Sequence, residues 1–497
     1  RLPSDSQLER LSQVLDVELS RLRTLAGYDI ASWQTRSKTV GELQIAFATY
    51  SLQELADPPG EGPAEQFVRG WRRHLAVQRA VAARRWHAAS QDADWALTDI
   101  RTAADGLECY LLVIKSRAEM RQGNPFAAEA ILTELRARLT RITDRNALGQ
   151  FHLCDGELAP SRGNWREALE CFRRALVEFD SLDAQDYAED QHALVLRKMA
   201  VVYLEQGLWQ DARARLEGSW NHFDDTEDLY EQAQLHMAMG WDESYKGNIE
   251  RSVSHRADAL SLASGALKGR DLYLLMQANL YYALSLRERG GSRDREIALE
   301  KLAAATRLAH MQGLAQPPTT IALGIAQIHL DQLIWNDRTD AQWDSVVAEI
   351  YQVVTGARPN RLEESYAFML LGIAEIERDR ALHRFSPERF EAALDKLDRA
   401  IRHFTRRDQR AYLAEALYLK AYYLMRDGLF QVLREPAQGA GDPFGAADDA
   451  LNSAELAADL RVTSSPGYPM MAPRIRAMRL ALDLFVTHFP RRTPAAV

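Results

Sequence analysis

Along most of the chain a large apolar residue is followed three places later by a small one, and the phrase returns about every forty residues. It reads Trp86-His87-Ala88-Ala89, Trp165-Arg166-Glu167-Ala168, Trp209-Gln210-Asp211-Ala212, Phe390-Glu391-Ala392-Ala393 and Phe444-Gly445-Ala446-Ala447. Spacing fills the gaps between these anchors with Pro125, Ile249, Arg295 and Trp343. Three places after the anchors stand Ala89, Ala128, Ala168, Ala212, Ser252, Ala298, Val346, Ala393 and Ala447. Leucine, isoleucine, phenylalanine or alanine follow at seven places in every unit but one, where Arg256 stands, and small or β-branched residues or leucine follow at ten. Offsets of three, seven and ten share one helix face, so each anchor is predicted to open a helix with a narrow apolar stripe. A glycine two places before the anchor (Gly123, Gly163, Gly207, Gly247) suits a tight turn from a preceding antiparallel helix. Gly156, Ala200 and Gly240, nine places before, leave room for close helix packing. Each unit is thus predicted to be a helix hairpin, and repetition of hairpins makes an array that buries its core between neighbours.

The pattern divides the chain into an N-terminal helical cap or docking segment over residues 1–63, an array of about nine hairpins over 64–470, and a capping helix with a tail over 471–497. Leu8, Leu11, Leu15, Leu19 and Leu22 make an apolar stripe in the first segment, and Pro473 is expected to start the last helix. Proline-rich stretches at 57–63, Gln316-Pro317-Pro318 and 435–443 interrupt the periodicity and read as loops.

The best single unit combines Gly156 with Gly163-Asn164-Trp165-Arg166-Glu167-Ala168-Leu169, Phe172 and Ala175; a second carries Ala200, Tyr203, Gly207, Leu208, Trp209, Ala212 and Leu216. These residues resemble the tetratricopeptide repeat superfamily. The units are longer than its usual repeat of about 34 residues, as in the roughly forty-residue variants of bacterial peptide receptors and the sensor arms of signalling ATPases. The resemblance covers about residues 65–465 and implies an all-α, right-handed superhelical solenoid of antiparallel hairpins.

Composition narrows the function classes. The chain has 497 residues, 46% hydrophobic and 26% charged, an ordinary globular mixture able to bury a large core. With 61 basic against 70 acidic residues, its net charge of -9 disfavours non-specific contact with nucleic acid or anionic membrane. The 3 cysteines, Cys109, Cys154 and Cys171, form no Cys-x-x-Cys pair and read as buried reduced thiols of a cytoplasmic protein. No membrane span, phosphate loop, dinucleotide fingerprint, nucleophile elbow or His-Glu-x-x-His motif occurs, so no cofactor, metal site or catalytic residue is expected. Two basic groups stand out, Arg69, Arg72, Arg73, Arg79, Arg84 and Arg85 beside Trp71 and Trp86, and Arg136, Arg138, Arg141 and Arg145. Each could bind anions or simply solvate a helix and pair with nearby acids.

The resemblance also implies where a ligand sits, because the first helix of each hairpin lines the inner surface, at twelve, eight, five and four places before the anchor. Transferred onto this chain, the rule selects His74, Gln78, Arg117, Met120, Arg121, Leu153, Glu157, Arg197, Val201, Leu204, Glu205, Met237, Trp241, Ser244 and Tyr245. Of these, Arg117, Arg121, Glu157, Arg197, Glu205, Trp241 and Tyr245 are the expected partner-binding residues. Cations beside an aromatic shelf suit a peptide. The superfamily's clamp for chaperone tails needs lysine and asparagine where Val201 and Trp241 stand, so that role is not expected. The sequence therefore predicts a non-enzymatic peptide- or protein-binding regulatory scaffold. The alternatives are the sensor arm of a larger signalling or defence protein and an RNA-binding solenoid.

Overall fold

In the computed structural model, residues 73–488 are described except residue 75 and short connecting segments, the longest being 435–443 and 458–470. The expected apolar stripe of the first segment, the 57–63 loop, and Arg69, Trp71, Arg72 and Arg84 lie outside the described residues. The described chain is helical, and consecutive helices pack as antiparallel hairpins.

Helix α1 spans Trp86–Ile100, α2 Asp105–Arg121, α3 Pro125–Arg136, α4 Arg145–Leu158, α5 Trp165–Asp180 and α6 Gln185–Glu205. There follow α7 Trp209–Phe223, α8 Leu229–Tyr245, α9 Ile249–Ser261, α10 Leu272–Arg289, α11 Ser292–Met311 and α12 Thr319–Ile334. The array continues with α13 Asp340–Thr355, α14 Arg361–Ala381, α15 Pro387–Arg406, α16 Arg410–Arg434 and α17 Gly445–Ala457, before α18 at Met471–His488. Trp86, Pro125, Trp165, Trp209 and Ile249 are each the first residue of a helix, whereas Arg295, Trp343 and Phe390 stand three residues inside theirs. The last helix starts two residues before Pro473, which a proline in the first turn tolerates because its missing N–H has no intrahelical partner there.

The predicted stripe is the core. Every residue three, seven and ten places after an anchor is buried, including Ser219, Ser252 and Arg256. Arg256 is the departure from the apolar pattern, and the structure supplies its reason. It lies against Gly240, where an added Cβ would come within 2.7 Å of the Arg256 Cγ, and its Nη1 donates to the Tyr281 carbonyl at 3.2 Å. Gly156 plays the same part for Phe172, whose Cε1 would stand 2.5 Å from an added Cβ. Gly247 adopts φ 82° at the α8–α9 turn, a left-handed conformation that glycine enters without steric cost. Side-chain caps fix several helix starts: Asp144, Asn164 and Asp271 accept from the backbone N–H three residues on.

Burial also settles the cysteines. Cys109, Cys154 and Cys171 are buried and free, and burial pushes each thiol up to about 12. No described helix is long and apolar enough to cross a membrane.

Candidate ligand groove on the inner face

Residues from α2, α4, α5, α6, α8 and α10 surround a groove of roughly 320 Å³. The first helices of successive hairpins supply most of its wall, because the anchor helices turn their stripes into the core. Arg117, Arg121, Glu157, Arg197, Glu205 and Trp241 all line it, as do Met120, Val201 and Met237. Tyr245 does not; it is buried at 5% exposure, with its ring 6.0 Å from Trp241, which it supports from behind. Leu153, Leu204 and Ser244 are likewise buried away from the groove.

The transferred rule missed Lys198, Gln234, Tyr273, Gln277 and Tyr281, which also line the groove. Tyr273, Gln277 and Tyr281 recur every four residues on α10, a face visible in the sequence. The transferred offsets do not reach it, because these residues stand 22, 18 and 14 places before the anchor Arg295, toward the start of α10.

The charged residues fall into two groups. Arg197 is 3% exposed in its side chain, and its Nη2 lies 2.6 Å from Glu231 Oε2. Glu157 takes Lys198 Nζ at 2.5 Å on one oxygen and faces Arg117 Nε at 3.4 Å with the other. Arg117 Nη1 also donates to Gln150 Oε1 at 2.8 Å, and Gln150 in turn donates to the Tyr187 hydroxyl at 3.1 Å. These are structural pairings. Burial pushes the Glu157 carboxyl up, but Lys198, Arg117 and Arg121 outweigh it and hold it down at about 2. The same excess of positive charge acts on Lys198, where burial, with Arg197 and Arg121, lowers the ammonium to about 8 against the pull of Glu157.

Arg121 and Glu205 form the second group. Among the described residues neither has a hydrogen-bond or ion-pair partner. Arg121 instead lies between aromatic faces, its Cζ 4.5 Å from the Tyr273 ring centroid and 5.7 Å from that of Trp86. Glu205 Oε2 is buried without a partner, and burial raises its carboxyl to about 8. Tyr245, Tyr281 and Tyr412 stand close enough to feel its charge. The groove thus holds one guanidinium without a hydrogen-bond or ion-pair partner among the described residues, its charge balanced at longer range by Tyr230, Tyr273, Glu157 and Asp271, and one carboxyl whose Oε2 is buried without a partner.

The two basic groups from the sequence resolve differently. Arg136 pairs with Asp155 and Glu129, Arg138 with Glu108 and Glu134, and Arg145 with Glu178, so these side chains are neutralised locally. In the N-terminal group, Arg73 Nη1 donates to the Trp95 carbonyl at 2.8 Å. A convergence that no contiguous motif announces joins α8 to α9: His236 Nδ1 lies 3.1 Å from His255 Nδ1 and 4.0 Å from Asp258 Oδ2. Two imidazoles and a carboxylate within 4.8 Å of one another could hold a transition-metal ion. Burial lowers the pKa of both histidines.

No family model matches the chain, and no curated protein matches it. Among solved structures it is similar to a Rap protein complexed with competence and sporulation factor, at 13% identity and TM-score 0.54 over 80% of this chain and 100% of that chain. It also matches NprR in complex with its cognate peptide NprX, at 13% identity and TM-score 0.43 over 75% of this chain and 98% of that chain. The chain has the fold of a TPR-like helical solenoid.

Proposed function

We propose that this chain is a non-enzymatic regulatory scaffold that binds a peptide, or an extended segment of a partner protein, in the groove between α2 and α10. The observation that carries the reading is the groove's composition: Trp241, Tyr281, Met237 and Val201 offer apolar contact beside guanidinium and carboxyl groups not consumed by the fold. An extended peptide presents backbone amides, apolar side chains and charges together, and such a mixed wall matches it. The similar Rap protein, whose structure was solved with competence and sporulation factor bound, supports the reading by fold likeness. Because the groove is built from several hairpins, occupancy alters how they lean on one another and is read out as a change in curvature.

The test is affinity selection of a random pentapeptide library on the full chain and on Trp241→Ala, with peptides identified by mass spectrometry. The expected result is a retained subset that Trp241→Ala binds at least tenfold more weakly. Retention of no peptide, or an identical subset on both proteins, overturns the proposal.

A further inference from the structure

We infer that the groove selects a dipolar ligand, in which an ammonium or guanidinium group seats on Glu205 and a carboxylate seats on Arg121. This rests on the peptide-binding reading and specifies the ligand's charges. Four cations, Arg117, Arg121, Arg197 and Lys198, and two acids, Glu157 and Glu205, line the groove. The fold pairs Arg197 with Glu231, and Arg117 and Lys198 with Glu157. Arg121 and Glu205 alone of these six are left without hydrogen-bond or ion-pair partners among the described residues. A guanidinium held over the Tyr273 ring has its attractive face occupied while its N–H donors remain available, and a carboxylate is the group that takes two of them at once. Glu205 presents the converse need: an acceptor out of water, with a cation as the group that stabilises its ionised form.

What surrounds Glu205 strengthens the demand for an external cation. From α8 comes Tyr245, which also feels Glu288 and Glu415; from α10 comes Tyr281, with Arg256 acting on it; from α16 comes Tyr412. None of these supplies an ion pair to Glu205. In the free chain the carboxyl keeps its proton at neutral pH, because burial raises it to about 8. A cationic ligand therefore releases that proton on binding, and affinity rises with pH while the ligand stays charged, by up to about tenfold per unit.

The experiment uses four synthetic pentapeptide libraries, with free or acetylated amino termini and free or amidated carboxyl termini, on the full chain and on Glu205→Gln, Arg121→Gln and Trp241→Ala. Expected is enrichment of peptides carrying both charges, with about a tenfold or greater loss on Glu205→Gln for the cation and on Arg121→Gln for the carboxylate. Loss on acetylation assigns the cation to the terminal amine, and persistence with enriched lysine or arginine assigns it to a side chain. Amidation distinguishes a terminal carboxylate from aspartate or glutamate in the same way. For a lysine-bearing, acetylated peptide, affinity rises from pH 6 to 7.5. If peptides depend on Trp241 but ignore both charge substitutions, or bind more weakly as pH rises, the dipolar inference is overturned while the scaffold reading stands. If no library is retained at all, both fall. Circular dichroism of each variant confirms folding, so a loss of binding reads on the groove.

Discussion

Arg197 and Glu231 are joined across α6 and α8 by two contacts to one carboxylate oxygen, at 2.8 Å from Nε and 2.6 Å from Nη2. The pair is sealed in, with Arg197 at 3% and Glu231 at 9% exposure. Arg197→Ala leaves a carboxylate buried without its cation, which costs about 3–5 kcal/mol. The loss should appear as a large fall in the urea midpoint, and the Arg197→Met, Glu231→Leu double substitution should recover most of it. Equal stability of Arg197→Ala and the native chain would show that the pair is solvated. Arg197 is therefore a poor probe of ligand binding, although the sequence places it in the groove beside Arg117 and Arg121.

The packing of α4 on α5 gives a second prediction. A methyl added at Gly156 meets the Phe172 ring at 2.5 Å and the Ala168 carbonyl at 3.2 Å, so both ring and backbone must yield. Gly156→Ala should destabilise by about 1–3 kcal/mol. Gly265→Ala, with nothing within 4 Å of the new Cβ, is the control and should be neutral or slightly stabilising. Denaturant melts of both variants check this; a stable Gly156→Ala would mean that the two helices separate more easily than their contact implies.

How far the sequence speaks follows from what repeats and what does not. The stripe at Ala168, Phe172 and Ala175 repeats in every unit because each anchor helix meets the same neighbours, so spacing alone locates the core. The groove wall is set by helix phase as well as spacing. Arg117, Glu157 and Trp241 each stand eight places before an anchor that opens its helix and are placed correctly, whereas Tyr273 and Tyr281 stand 22 and 14 places before Arg295, beyond the transferred offsets. Pairing is not periodic at all: nothing in the sequence says that Arg197 is spent on Glu231 while Arg121 rests on Tyr273. The His236, His255 and Asp258 convergence is hidden for the same reason, since it depends on two helices being side by side.

The thiols offer a direct measure of native packing. Cys109, Cys154 and Cys171 are buried, and burial raises each to about 12, which leaves almost no thiolate at pH 8. Labelling with a thiol reagent at that pH should be slow for the native chain and reach three equivalents in denaturant. Fast labelling of one site in the native state would locate a hairpin that opens readily, with Cys171 the first to examine because at 7% it is the most exposed of the three.

Stability should peak near pH 6.5, and the two slopes have different owners. Burial lowers His74 from 6.5 to about 3, and lowers His152, His236 and His255 as well. Below pH 6.5 the unfolded chain therefore binds more protons than the folded one, and stability falls as pH drops; His74 alone contributes about 1.4 kcal/mol per unit over that window. Glu157, held at about 2, adds to the loss below pH 4.5. Glu205 has the opposite sign, because burial raises it from 4.5 to about 8, so the folded chain retains a proton that the unfolded chain has released. Its contribution declines as pH rises through that range, and above pH 6.5 the histidines no longer offset it, leaving a fall of about 2 kcal/mol by pH 8. Thermal melts between pH 4.5 and 8.5 should show the maximum, and Glu205→Gln, which cannot ionise, should abolish the decline on the alkaline side and steepen the acid limb above pH 4.5, where the native carboxyl opposes the histidines. A native curve that keeps rising to pH 8.5, or a Glu205→Gln curve parallel to it throughout, would show that the Glu205 carboxyl is ionised in the free groove.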